Sequence, residues 1–417
     1  MAIILLKGGN LVDPSQNKIL KRDILIEDGK VSRIAGKSIY IGMSIERGCQ
    51  VVDCRGKLIV PGLIDMHVHW RTPGQEHKEN LATGSMAALA GGFTSVVCMA
   101  NTNPVIDDAK KLHQLLIRAE NEALVNVYQV AAMSENLSGR HMTDLACLRD
   151  AGAIAFSDDG KGVQNPVILQ LAMVMCSKVQ NTLLLFHCQD SCFDTYDKRS
   201  EYFYIHYLLK FAESYSCPIH IQHVSCLESV QLIREAKVRG VKVTCETAPH
   251  YIALTQRDFK RIGVNAMMNP PLRGESDRRA IIKGLVDGTI DVIATDHAPH
   301  TDEEKNSDNP PFGIIGLETA VPVVLSVLQR HMSLREIFAK MTFNPSIILG
   351  LEQKGLIKEC WPADITIIDL QKRKVLETKD LKSKSKNSPW LGKRMQGWPV
   401  MTIRKGEILM KDGKITI

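Results

Sequence analysis

The chain has 417 residues, 44% of them hydrophobic and 24% charged, which is ordinary for a globular protein large enough to bury a substantial core. Its 52 basic and 46 acidic residues leave a net charge of +6, too mild to argue for nucleic acid and at most a hint of an anionic substrate. The 11 cysteines form no paired framework, Met1-Ala2-Ile3-Ile4-Leu5-Leu6-Lys7 is too short an apolar run for a signal peptide, and no run spans a bilayer. A cytoplasmic protein without a membrane partner is expected.

In chain order, residues 1–56 carry turn punctuation, Gly8-Gly9-Asn10 and Glu27-Asp28-Gly29, between short alternating segments. This is hairpin chemistry. Strands are then expected near 58–69, 94–100, 125–133, 153–159, 182–188, 218–225, 242–250 and 290–300, most of them short runs rich in Val, Ile and Leu, with helical stretches between. Strand–helix alternation repeated eight times predicts an α/β fold, a (β/α)8 TIM-type barrel over 57–356, with its chemistry at the C-terminal strand ends. From about 357 the hairpin pattern returns in Ala363-Asp364-Ile365-Thr366-Ile367-Ile368-Asp369 and Thr402-Ile403-Arg404-Lys405-Gly406-Glu407. Residues 1–56 and 357–417 therefore predict one small discontinuous β-sandwich. Lys382-Ser383-Lys384-Ser385-Lys386-Asn387 reads as a solvated loop, and the basic residues between 372 and 394 as a solvated face.

The first barrel strand ends in Asp65-Met66-His67-Val68-His69 and the eighth in Ala294-Thr295-Asp296-His297-Ala298-Pro299-His300. Alternate residues on a strand share a face, so His67 and His69 can reach one metal ion. At the other strand ends stand Asn101, Asp158 and Asp159, His187 and His223, with Asn269 shortly after strand 7. Zinc accepts imidazole nitrogen and carboxylate oxygen, and a zinc pair needs a bridging anion. On this reading His67, His69 and Asp296 hold a first ion, His187 and His223 a second, and Asp158 or Asp159 bridges. Cys188 faces away from His187 and is expected to pack as a small apolar group.

The segments Asp65 to Glu76 and Ala294 to His300 with Glu303-Glu304-Lys305 resemble the two signature motifs of dihydroorotases, within the amidohydrolase superfamily. Asn101-Thr102-Asn103-Pro104, Phe156-Ser157-Asp158-Asp159-Gly160, His187-Cys188, His220-Ile221-Gln222-His223-Val224-Ser225, Asn269-Pro270-Pro271-Leu272-Arg273 and Pro311-Phe312-Gly313-Ile314-Ile315-Gly316-Leu317-Glu318-Thr319 extend the likeness over nearly the whole chain. It is nearest to the class I, bacterial-type members. The resemblance implies reversible cyclisation of N-carbamoyl-L-aspartate to L-dihydroorotate, a step of pyrimidine synthesis. It also implies one or two zinc ions on His67, His69, Asp159, His187, His223 and Asp296. Asp159 is preferred over Asp158 because the second aspartate of the family's Asp-Asp-Gly is the ligand. Asp296 would serve as base and acid in turn. Substrate would be held by His69, Arg71, Asn101, Asn269, His300, Phe312 and Gly313.

Trp70, Thr72, Ala100 and Met267 depart from the family's usual residues, and Tyr207-Leu208 replaces its usual Arg-Asp. The largest departure is a shortened segment from Asp190 to Glu201. Hydantoinases, dihydropyrimidinases and allantoinases usually bridge their metals with a carboxylated lysine from strand 4, and Phe156 to Gly160 contains none. A catalytically silent subunit supporting aspartate transcarbamoylase tends to lose its ligands, and these are intact. A homodimer is the expected assembly, with transcarbamoylase as a further candidate partner.

Overall fold

The computed structural model describes residues 3–16, 18–36, 48–179 and 182–416. The expectations for residues 1–2, 17 and 37–47 lie outside the described residues.

The N-terminal strands are β1 (Ile4–Leu11), β2 (Leu20–Glu27), β3 (Lys30–Ala35), β4 (Gln50–Asp53) and β5 (Leu58–Pro61). Eight more follow: β6 (Leu63–Val68), β7 (Phe93–Cys98), β8 (Asn126–Ala131), β9 (Ala153–Phe156), β10 (Leu184–Phe186), β11 (Ile219–Ile221), β12 (Val243–Thr247) and β13 (Val292–Ile293). The chain closes with β14 (Ile365–Val375), β15 (Arg394–Arg404), β16 (Glu407–Lys411) and β17 (Lys414–Ile415).

β6 to β13 pair in sequence order as one parallel sheet. A parallel bridge between Val68 and His297 brings its two edges together, and the His69 amide donates to the His297 carbonyl at 2.8 Å. The result is a nearly closed eight-stranded barrel, as expected. Met66, Val97, Val130, Ala155, Leu185 and Val292 form one buried cluster with Leu349. Strands from opposite sides of a ring meet only inside it, so this cluster is the packed barrel interior. The surrounding helices bury one face: in Ala109–Glu122, Leu112, Leu115 and Ala119 point inward at helical spacing. Asp108 caps that helix by accepting from the Lys111 amide at 2.9 Å, worth about 1 kcal/mol.

The remaining nine strands form a mixed sheet in the order β17-β16-β15-β14-β5-β1-β2-β3, with β4 beside β1. Both termini thus build one sheet. Its turns Asp28-Gly29, Lys405-Gly406 and Asp412-Gly413 have positive φ at both residues. That is the primed-turn geometry matching strand twist, which glycine adopts without strain. Gly8-Gly9-Asn10 is different: these residues lie within β1 at a register shift, so the expected turn is a bulge. The expected strand 58–69 also divides, β5 joining the terminal sheet and β6 the barrel. Gly62 stands between them, where a Cβ would lie 2.1 Å from Thr94 Oγ1. Tethers across the junction include Gly62 N to Asp364 O at 2.8 Å and Thr366 Oγ1 to Gly92 O at 2.6 Å.

The loop at 382–387 is not solvated as expected. Ser383, Ser385 and Asn387 are buried. Ser383 Oγ donates to Glu79, Ser385 Oγ to the Lys78 carbonyl at 2.7 Å, and Asn387 Nδ2 to the Ala298 and Gly313 carbonyls at 3.2 and 3.1 Å. Small hydroxyl and amide side chains satisfy these buried acceptors, exposed Lys384 reaches the Glu76 carbonyl at 2.8 Å, and half-buried Lys386 folds back on the Leu381 carbonyl at 2.9 Å.

Candidate active site

Most barrel strands end earlier than their apolar runs, so several polar groups expected on strands stand on the first residues beyond them. His67 is the penultimate residue of β6, and His69 follows its end. Asp159 Oδ1 lies 3.5, 3.6 and 3.7 Å from His67 Nε2, His187 Nδ1 and His223 Nε2. Asp159 Oδ2 is 3.4 Å from His69 Nε2. Asp296 Oδ1 lies 3.1 Å from His69 Nε2 and 3.5 Å from His67 Nε2. All six side chains are buried. Two sets of three, His67 with His69 and Asp296, and His67 with Asp159 and His223, bring their donor atoms within 4.8 Å of one another.

Two buried atoms in this cluster, His67 Nε2 and Asp159 Oδ1, have no hydrogen-bond partner among the described residues. Leaving such groups unpaired is costly, and both are natural donors to a cation. The donor set therefore fits a divalent metal. Electrostatics agree: burial would raise the Asp159 and Asp296 carboxyls, but the charge of His67 holds Asp159 well below, and Asp296 below, the usual carboxylate range. Both are acceptors at neutral pH. Asp296 and His223 have φ of 49° and 35°, left-handed values held by the surrounding fold.

Asp158 turns the other way. Its carboxylate accepts from the Met133 and Ser134 amides at 2.8 and 3.0 Å and from the Ser134 hydroxyl, tying the end of β9 to the loop after β8. Cys188 packs in the main hydrophobic core. His297 is likewise spent on structure, facing Glu79 Oε2 at 3.4 Å and accepting from the Gly316 amide at 3.2 Å.

A cavity of about 260 Å³ opens over the cluster, and its wall contains His69, Arg71, Asn101, Asn269, His300, Phe312 and Gly313 together with Asp159, His187, His223 and Asp296. That is room for a small-ring ligand. Arg71 is buried, with Nε donating to the Pro299 carbonyl and Nη2 to His300 Nε2, both at 3.2 Å. Burial and the Arg71 guanidinium push His300 down to about 3, so its ring is neutral and can accept that bond. Asn101 Oδ1 accepts from His69 Nδ1 at 2.9 Å. Asn269 Nδ2 donates to Gln189 Oε1 at 2.9 Å, and that oxygen also lies 3.0 Å from His187 Nε2, leaving His187 Nδ1 toward Asp159.

A second cavity of about 510 Å³ shares Phe312 with the first and contains none of the cluster. Tyr196 of the shortened segment lines it. That segment is pinned, because the Asp190 amide donates to the Ser200 carbonyl at 2.8 Å and the Tyr207 hydroxyl donates to the Asp190 carboxylate.

Residues 58–409 match the Amidohydrolase family. A dihydroorotase from Geotalea daltonii is 42% identical over 428 residues, covering 98% of this chain and 99% of the relative. One from Geobacter sp. (strain M21) is 40% identical over 430 residues, covering 98% and 100%. The chain belongs to the amidohydrolase family, among its dihydroorotases. Among solved structures, the L-hydantoinase (dihydropyrimidinase) of Arthrobacter aurescens superposes with a TM-score of 0.90 at 24% identity, covering 100% of this chain and 98% of that one. At that identity the likeness speaks for the fold alone.

Several residues around the site carry no family motif in the sequence reading, among them Glu79, Gln189, Glu246 and Asn387. Glu246, an ionisable residue inside the apolar run Val243-Thr244-Cys245-Glu246-Thr247, was the one visible signal. Lys305 closes the segment Glu303-Glu304-Lys305, and the structure gives it a task. Its buried ammonium donates to the carbonyls of Pro311, Gly313 and Met267 at 2.9, 3.0 and 3.4 Å, bracing the loop beside the cavity. Gly313, at φ +136°, has room for no Cβ, which would lie 2.7 Å from the Ala298 carbonyl.

Burial pushes Lys305 from its ordinary 10.5 down to about 8. Between those values the unfolded chain holds the proton and the folded one has released it, so this group makes stability rise with pH. Wild type should gain thermal stability relative to Lys305→Met from pH about 8 to about 10.5, read by calorimetric melts across that range. A wild type that loses thermal stability relative to Lys305→Met as pH rises through that range would contradict the assignment.

Proposed function

We propose that this chain catalyses the reversible cyclisation of N-carbamoyl-L-aspartate to L-dihydroorotate in pyrimidine synthesis. The observation that carries the reading is full-length similarity, at 40–42% identity, to proteins named dihydroorotase. The buried Arg71 beside the cluster supports it, since a guanidinium is suited to a carboxylate on a small ring.

In this reading His67, His69 and Asp296, with His187, His223 and Asp159, hold one or two zinc ions. When bound, zinc supplies Lewis acidity toward water and the ring carbonyl. Asp296 accepts a proton from the attacking water and delivers it to the departing amide nitrogen. Cyclisation reverses these transfers. Arg71 holds the substrate carboxylate, neutral His300 steadies Arg71 and adds a contact, and Asn101 and Asn269 orient the ring against the wall formed by Phe312 and Gly313. The six cluster side chains are all buried, so the attacking water and the substrate reach them through the cavity above.

The same proposal takes residues 57–356 as the catalytic unit and residues 1–56 with 357–417 as the supporting β-domain. Pairing of the terminal strands in one sheet supports that division, with the seam moved to Gly62, because β5 pairs in the terminal sheet before the chain enters the barrel. Among the described residues no helix is long and apolar enough to cross a membrane. A cytoplasmic homodimer, with aspartate transcarbamoylase as a candidate associate, completes the proposal. The intact donor set argues for an active enzyme rather than a silent subunit.

Purified protein should contain zinc by elemental analysis and interconvert carbamoyl aspartate and dihydroorotate, and chelation should abolish turnover until zinc is restored. A preference for hydantoin or dihydrouracil over dihydroorotate would overturn the substrate assignment. Metal-replete protein inert toward all three would favour the silent subunit.

A further inference from the structure

A second buried acidic group lies beneath the cluster, on a strand that contributes none of the proposed ligands. Glu246 on β12 is 2% exposed, and its Oε1 lies 2.7 Å from His67 Nδ1. That is the length of a charge-assisted hydrogen bond. Gln222 Nε2 is also near this nitrogen, at 3.3 Å. Its amide oxygen, however, already accepts from Ser157 Oγ at 3.1 Å, so the group that Gln222 turns to His67 is a donor. Glu246 is left to receive a proton from Nδ1. With Nδ1 committed to Glu246, Nε2 is the nitrogen that would give up its proton to a cation and offer it the lone pair. Nε2 is also one of the buried atoms without a hydrogen-bond partner among the described residues, 3.5 Å from both Asp159 Oδ1 and Asp296 Oδ1.

We propose that Glu246 is a positioning residue for the metal centre, fixing His67 with its proton on Nδ1 and its Nε2 lone pair turned into the cluster. The proposal rests on the reading of that cluster as a metal site. His67 belongs to both three-residue sets around which the donors gather, so its ring orientation bears on either position. A carboxylate on the far nitrogen of a ligating imidazole locks the ring and makes it a more basic donor. The other oxygen of Glu246 faces His220 Nε2 at 3.5 Å, and His220 Nδ1 in turn meets Thr244 Oγ1 at 2.8 Å. His220 is therefore a neighbour of Glu246 that does not contact the cluster, and it supplies a control.

The test is zinc affinity, measured on the full chain stripped of metal, by competition with a chromophoric chelator. Glu246→Gln keeps the shape and removes the charge. It should weaken zinc binding ~10–100-fold, the usual cost of losing such a partner. His220→Asn should change affinity no more than a few-fold. Equal losses in both variants, or none in Glu246→Gln, would overturn the assignment by reducing Glu246 to barrel packing. If wild type itself takes up no zinc, the metal reading fails and this assignment falls with it. That outcome is distinct from a wild type that binds zinc as tightly as Glu246→Gln. Should Glu246→Gln not fold, nitrogen NMR of histidine-labelled, zinc-loaded wild type decides. His67 should show a proton on Nδ1 and ligation through Nε2, and the opposite pattern would refute the proposal.

Discussion

An Asp296→Asn enzyme should fold, bind L-dihydroorotate and lose hydrolysis by a factor of ~10²–10⁴, the usual contribution of general acid–base catalysis. Two features make this substitution informative. Asp296 sits at φ 49°, a backbone conformation that Asn accepts more readily than most residues, so the change introduces little strain. Its carboxylate is held below the ordinary carboxylate range despite burial, mainly by the charge of His67, so in the wild type it is ready to accept a proton at neutral pH. An amide of the same shape cannot. Steady-state hydrolysis, metal analysis and calorimetric binding of dihydroorotate on the same preparation separate the effects. Loss of zinc together with activity would deepen the defect, and near-normal turnover would remove Asp296 from the chemistry.

Arg71→Lys should leave zinc content unchanged and lower kcat/KM for dihydroorotate by about 1.5–3 kcal/mol, the worth of one charged hydrogen bond. The guanidinium is held before substrate arrives, Nε on the Pro299 carbonyl and Nη2 on His300 Nε2. A lysine offers a point charge without the planar fork, so it loses both the fixed orientation and the paired contact to a carboxylate. None of Arg71's hydrogen bonds goes to the six cluster side chains, which is why metal retention is expected. Release of zinc by Arg71→Lys, or unchanged kinetics with dihydroorotate, would make Arg71 structural.

Much of this architecture was legible in the chain itself because its determinants are local. Short apolar runs alternating with helical stretches specify a parallel barrel, and polar residues at the ends of those runs arrive together at one mouth because strand direction is shared. Asp28-Gly29 and Lys405-Gly406 are readable as hairpins from two residues each, since few residues tolerate positive φ. Spacing alone did not decide between Asp158 and Asp159. The answer depends on Ser134 and Met133, which claim the Asp158 carboxylate from another strand end. The docking of Ser383 and Asn387 was hidden for the same reason, their partners Glu79 and Ala298 lying 304 and 89 positions away. Glu246 meets His67 across 179 positions. Periodicity and turn chemistry act over a few neighbours and so can be read along the chain. The groups that satisfy a buried carboxylate or imidazole are chosen by closure of the barrel, and only the folded molecule decides them.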